Sequence, residues 1–168
     1  MDTIFTLATG VELKEIYPIY KKAIAYMDFQ NINQWDEKYP TEDIIKTDIL
    51  KQQMYKLLQN KKIVSAIVIN DEQDDEYKSG KWKYTEGKIA VIHRLCVHPD
   101  FQNQGIGKKA MICAENLLYE NNYLAVRLDA FAQNPYALRL YEKLGYSRVG
   151  EVNFRKGRFY LYEKLISY

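Results

Sequence analysis

The chain has little of what builds metal centres and crosslinks. Only two histidines and two cysteines occur in 168 residues. Neither His93 nor His98 has a partner at metal-ligand spacing, so no metal is implied. Cys96 and Cys113 are too few for a disulfide framework, and in a reducing compartment they read as free, partly buried thiols. An excess of one charge is also missing. Twenty-four Lys and Arg against 22 Asp and Glu leave a net charge of +2, which excludes a global field drawing the chain onto nucleic acid or membrane. The longest aliphatic strand core, 63–69, is broken by Ser65 and is far too short to span a bilayer. The opening residues MDTIFTLATG carry no basic segment followed by an apolar run, so the expectation is a soluble, cytoplasmic protein. Without repeats or low-complexity segments, the length fits a single domain over 1–168.

What is present is alternation of strand and helix patterns. A β-prone run at 3–7 precedes a helical stripe of Leu13, Ile16, Tyr17, Tyr20, Ala23 and Ile24. An aperiodic stretch holding Trp35 and Tyr39 ends at Pro40, and Thr41 caps a second helix reaching about Gln52. Strands at 54–58 and 63–69 form an antiparallel hairpin. The polar stretch 71–88, with five acids in DEQDDE, reads as a solvated loop between strands. After a strand at 90–97, Ile106, Ala110, Cys113, Ala114, Leu117 and Leu118 share one helical face. Leu124, Val126, Leu128 and Ala130 then alternate as a strand. Asn134 before Pro135 starts a helix that Gly145 stops, and 146–154 with 159–166 close the chain as a hairpin.

The stretch HRLCVHPDFQNQGIGKK (93–109) joins an apolar strand to a helix start. There the free amides and the positive end of the macrodipole invite a phosphate. Gly105 and Gly107 let it approach the backbone, Gln102, Asn103 and Gln104 add neutral donors, and Lys108 and Lys109 bring charge to the helix mouth. A Walker A loop fails, because Gln102 and Lys109 stand where its first glycine and its Ser or Thr belong. A dinucleotide fingerprint fits Gly105-Ile106-Gly107-Lys108-Lys109-Ala110, with Asp129 at about the ~20-residue distance of a ribose-binding acid. Against it, seven residues separate Val97 from Gly105, and too little chain follows to complete a doubly wound sheet.

A third pattern, Q/R-x-x-G-x-G/A, is met by Gln102, Gly105 and Gly107. With Leu95, Val97 and Pro99 matching an L-x-V-x-P strand end, and Asn134, Ala137, Tyr141, Lys143, Gly145 and Tyr146 following, the chain resembles the GCN5-related N-acetyltransferase family over roughly 90–165. The resemblance implies an α/β domain with a mixed, mostly antiparallel sheet of about seven strands flanked by helices. It also implies acetyl transfer from acetyl-coenzyme A to a primary amine, small molecule or peptide, by a monomer or homodimer. Leu95, Cys96 and Val97 would supply the backbone rail for pantetheine and the oxyanion donor. Gln102, Asn103, Gln104, Gly105, Ile106, Gly107 and Lys108 would hold the pyrophosphate, and Asn134 and Lys143 would make further cofactor contacts. Tyr141 would be the general acid, since a phenol of pKa near ~10 can protonate a thiolate, and His93 a candidate base. Trp35, Tyr39 and Trp82 would be candidates to line an acceptor site, and the acids or aromatics of 71–88 to select a cationic acceptor. The rivals are a non-catalytic acyl-coenzyme A sensor and a nicotinamide-binding oxidoreductase.

Overall fold

Strand and helix patterns become elements where their apolar residues find a common face. In a computed structural model describing residues 2–166, these are β1 (Thr3–Leu7), α1 (Leu13–Phe29), α2 (Glu42–Leu50), β2 (Met54–Gln59), β3 (Lys62–Asn70), β4 (Ile89–Val97), α3 (Ile106–Glu120), β5 (Ala125–Phe131), α4 (Pro135–Lys143), β6 (Ser147–Phe154) and β7 (Gly157–Leu165). Among the described residues the strands form one sheet ordered β1-β2-β3-β4-β5-β7-β6. It is mostly antiparallel, with β4 and β5 a parallel pair. No described helix is long and apolar enough to cross a membrane. By internal contacts the chain divides into two compact units: one runs to Ile69 and takes in Arg94–Cys113, and the other comprises Asn70–His93 and the chain from Ala114 on.

In the first unit, β1, β2 and β3 make an antiparallel meander with Thr3 opposite Gln59 and Met54 opposite Val68. The β2–β3 turn is tighter than the sequence implies. Asn60 and Lys61 both take positive φ, 50° and 65°, as a two-residue hairpin turn of the primed type requires. The stripe on α1 buries Ile16, Ile19, Tyr20 and Ala23 against Ile45 and Ile49 of α2 and Met54, Ala66, Val68 and Cys96 of the sheet. A second cluster packs Leu57 and Val64 against Ile106 and Ala110 of α3. Burial on both sides explains why β3 reads as a near-continuous apolar run, and each such aliphatic side chain contributes about 1.5–3 kcal/mol.

In the second unit β5 is central. It pairs with β4 from Ile89↔Ala125 to Val91↔Arg127 and with β7 from Ala125↔Leu165 to Phe131↔Phe159. The 71–88 segment is not simply a solvated loop. Residues 71–76 are exposed, but a 3₁₀ turn at Asp75–Ser79 buries Tyr77, leaving it 1% exposed. Trp82 tilts against Tyr77 at 5.6 Å, donates Nε1–H to its carbonyl at 2.7 Å, and lies 4.3 Å over the Arg127 guanidinium. Glu163 accepts from the Lys83 amide at 2.6 Å. Two aromatics inside a polar stretch therefore anchor it.

Candidate functional site

In the first unit the candidate chemistry begins at the end of β4. Arg94 sits at φ +51° within the strand, a left-handed conformation that costs a side-chain-bearing residue about 1–2 kcal/mol. Strict alternation would set His93 and Cys96 on opposite faces, and this residue interrupts it. The guanidinium is held by Asp48 through Nε to Oδ2 at 2.8 Å and Nη2 to Oδ1 at 2.6 Å, and by the Tyr39 hydroxyl at 2.8 Å. Tyr20 donates to the Arg94 carbonyl at 2.6 Å and Ser65 to the Cys96 carbonyl at 2.9 Å. Burial works against the Arg94 charge, but Tyr39 and Asp48 hold it well above its ordinary value. Cys96 points into the α1 cluster, and burial pushes its thiol up, which leaves its backbone and not its sulfur for chemistry. Leu95 and Val97 pack toward the α3 cluster.

The loop that follows is built by its own side chains. His98 caps a short 3₁₀ turn, Pro99–Phe101, by accepting the Asp100 amide at Nδ1 (3.1 Å), with Phe101 edge-on at 5.5 Å, a structural role. Gln102 spends an amide N–H on the Val97 carbonyl (3.3 Å) and Gln104 one on the Asp100 carbonyl (3.1 Å). Each bond shapes the loop, and each side-chain amide keeps a second N–H. Asn103 and Gly105 both adopt positive φ, 58° and 75°, and a Cβ on Gly105 would meet nothing within 4 Å. Glycine is therefore required there by the turn and not by crowding. Ile106 is buried at 3% and pins the start of α3. The first amides of a helix have no intrahelical acceptor, and Lys109 N–H to Gly105 O at 3.0 Å opens the ladder. Gly107 lies in this first turn and Lys108 is exposed beside it. Lys109, expected at the helix mouth, instead donates to Thr3 Oγ1 at 2.6 Å. A groove of about 540 Å³ in this unit, bordered by Lys14, Lys22, Lys62 and Phe101, contains none of the predicted site residues.

In the second unit Asn134 caps α4 by accepting the Ala137 amide at 3.1 Å, with Pro135 in the first turn. Gly145 takes φ +87° just beyond it. Tyr141 is buried, its ring centroid 5.8 Å from Tyr146 and 6.2 Å from Tyr162. Burial and then the Asp129 charge push its phenol well above the ordinary 10.0. Lys143 is exposed at the helix end. His93 Nε2 lies 2.7 Å from Asn70 Oδ1. Asp129 accepts from the Tyr77 hydroxyl at 2.6 Å, so the acid expected of a dinucleotide fingerprint serves another partner.

Of the aromatics expected to line an acceptor site, Trp35 is core, 5.7 Å from Tyr20. Tyr39 and Trp82 are committed to Arg94 and Arg127. Among the described residues no group of three His, Cys, Asp or Glu could hold a metal ion. Arg94 with Asp48, and Asp129 with Tyr77, escaped the sequence reading. The available signal was a charge inside an otherwise apolar strand.

Residues 15–146 match the acetyltransferase (GNAT) family. The fold is similar to a GNAT-family acetyltransferase from Streptococcus agalactiae, with TM-score 0.86, 21% identity, and 97% of this chain and 95% of that one covered. It is similar also to the ribosomal-protein-S18-alanine N-acetyltransferase of Escherichia coli, with TM-score 0.75, 17% identity, and 99% and 96% covered. YncA from Salmonella typhimurium, solved with its cofactor acetyl-CoA, matches with TM-score 0.71, 15% identity, and 98% and 94% covered. No curated protein matches the sequence.

Proposed function

The chain belongs to the acetyltransferase (GNAT) family, and on that premise we propose that it moves an acetyl group from acetyl-coenzyme A to a primary amine. The observation that carries this reading is the start of α3. A left-handed Gly105, a buried Ile106 that fixes the first turn and an exposed Lys108 set first-turn amides, which have no intrahelical acceptor, beside one exposed positive charge, the donor set a pyrophosphate needs. Gly107 in the same turn keeps that backbone approachable, and Asn103 holds the preceding bend. The Leu95–Val97 backbone is the rail for pantetheine and the source of the oxyanion donor, and its position is fixed from behind by Tyr20 and Ser65. Asn134 and Lys143 give further polar contacts to the cofactor. The cofactor brings an activated acyl thioester. The protein's part is to hold it still, stabilise the oxyanion and move protons.

Tyr141 is the proposed general acid. With its phenol raised it keeps its proton across the physiological range, as a donor to a thiolate must. For the acceptor's proton the resemblance offers His93. The test uses the purified chain with acetyl-coenzyme A and a panel of propylamine, Nα-acetyl-lysine and a peptide with a free N-terminal alanine, reading thiol release. Acetyl-coenzyme A raises Tm while NAD and NADP do not, and at least one amine turns over. Stabilisation by NAD instead would sink the assignment, and binding without any turnover would favour a sensor.

A further inference from the structure

Resting on the transferase reading above, we propose that Arg94 is a positioning residue: its left-handed backbone, locked by Asp48 and Tyr39, turns the Leu95 N–H into the donor that meets the oxyanion of acetyl transfer. A residue other than glycine keeps a positive φ inside a strand only where its surroundings over-determine it, and such residues gather at functional sites. Arg94, at φ +51°, is held at both ends. Its guanidinium is gripped by both oxygens of the Asp48 carboxylate and by the Tyr39 hydroxyl, and its carbonyl accepts from the Tyr20 hydroxyl at 2.6 Å. Tyr20 is wholly buried, and burial pushes its phenol well above the ordinary value, so it stays a donor. These residues and Leu95 all belong to the first unit.

The direction of the amide follows from the geometry of one peptide. At an extended residue the following peptide lies in the ladder, where its C=O and N–H serve neighbouring strands. α1, which carries Tyr20, packs instead over the sheet face that bears Ala66, Val68 and Cys96. A β4 carbonyl given to Tyr20 is therefore tipped out of the ladder toward that helix. The peptide bond is planar and trans, so its N–H lies opposite its C=O, and the Leu95 N–H is aimed away from Tyr20. The Ser65 hydroxyl holds the next carbonyl but one, that of Cys96, at 2.9 Å. The Leu95 amide thus sits between two anchored carbonyls.

In the step this amide serves, the amine nitrogen bonds to the acyl carbon and the carbonyl electron pair moves to oxygen. Return of that pair breaks the C–S bond, with its electrons on sulfur. The neutral amine's nitrogen loses one proton and sulfur gains one. The Leu95 N–H lends a hydrogen bond to the oxygen and surrenders no proton, and a donor already aimed where charge develops acts on the transition state more than on the bound thioester.

Two double variants separate this role from stability. In Arg94→Met with Asp48→Leu an apolar pair replaces the lock, and methionine, no longer held, returns to an extended φ. In Arg94→Gly with Asp48→Leu the guanidinium is equally absent, but glycine takes positive φ without strain. With the fastest amine of the panel, the methionine pair lowers kcat about 100-fold and leaves both KM for acetyl-coenzyme A and the Tm shift it gives unchanged. The glycine pair keeps kcat within about 10-fold of native, although it is the less stable of the two because glycine weakens a strand interior. Backbone NMR shifts of residue 94 in the ligand-free proteins read left-handed in the native chain and the glycine pair, and extended in the methionine pair. Tyr20→Phe, which removes only the hydroxyl on the Arg94 carbonyl, guards against a misfolded pair and lowers kcat about 10-fold with KM again unchanged. A folded methionine pair or a Tyr20→Phe chain with native kcat, losses of kcat that follow Tm across the set, or shifts that stay left-handed in an inactive methionine pair overturn the inference. Native protein that acetylates no amine in the panel sinks the transferase reading and this inference with it, whereas native turnover with an indifferent methionine pair sinks only the inference.

Discussion

Removing the Asp48 carboxylate would expose how much the left-handed residue in β4 depends on its partner. The Asp48 side chain is 7% exposed and that of Arg94 13%, so Asp48→Ala strands a guanidinium in a poorly solvated place. Breaking a buried pair from one side costs about 3–5 kcal/mol. Tyr39 at 2.8 Å still accepts one N–H, which places the expectation near the lower end, about 3 kcal/mol. For a chain of this size each kcal/mol is worth about 2–4 °C, so Tm falls by about 6–12 °C. Circular dichroism melts at pH 7 measure it. The double variant Arg94→Met with Asp48→Leu removes both charges and recovers most of the loss, because a desolvated pair and an apolar contact of similar volume are close in energy. A fall below about 2 °C in Asp48→Ala, or a double variant no better than the single one, would refute the account of a pair that must be kept or removed together.

Tyr141→Phe lowers kcat about 10–100-fold and leaves acetyl-coenzyme A affinity unchanged. Because burial and Asp129 raise the phenol, native activity shows no alkaline fall from Tyr141 up to about pH 10, and such a fall, lost in the variant, would contradict the buried placement. Glu12 is ion-paired with Lys56. Burial alone would raise its carboxyl, but the hydrogen bonds from Lys56 and the Thr9 amide hold it below its ordinary 4.5. A depressed carboxyl stabilises above its unfolded pKa and loses that as pH falls through the folded one, so the stability gap between native protein and Glu12→Gln closes below about pH 4.5, checked by melts at stepped pH. Iodoacetamide on the native chain labels Cys113 well before Cys96, since Cys96 is enclosed and its thiol is pushed up by burial while Lys109 eases the Cys113 shift; peptide mass mapping reads the order.

The features legible in the sequence were those written over a few neighbouring residues. Asn134-Pro135 announced α4 because a cap and a first-turn proline act on adjacent amides, and Gln102 with Gly105 and Gly107 announced the helix start because the left-handed turn at Gly105 needs a glycine. The misread features depend on partners far along the chain. Arg94 meets Asp48 across 46 positions and Lys109 meets Thr3 across 106, and no local pattern says that one lysine of an adjacent pair is spoken for. Tyr77 and Trp82 were hidden for a related reason: five acids in six residues lower the local hydropathy, yet two rings suffice to anchor a polar segment whose acids face solvent. What the strands did carry was an anomaly of another kind. Arg94 in β4, and Arg127 and Asp129 in β5, are charges placed where alternation or continuous burial calls for apolar side chains. A charge cannot stay in such a strand uncompensated. Each therefore predicts a partner from elsewhere, and in this chain two of the three lead to the Asp48 lock on Arg94 and the Tyr77 hydroxyl on Asp129.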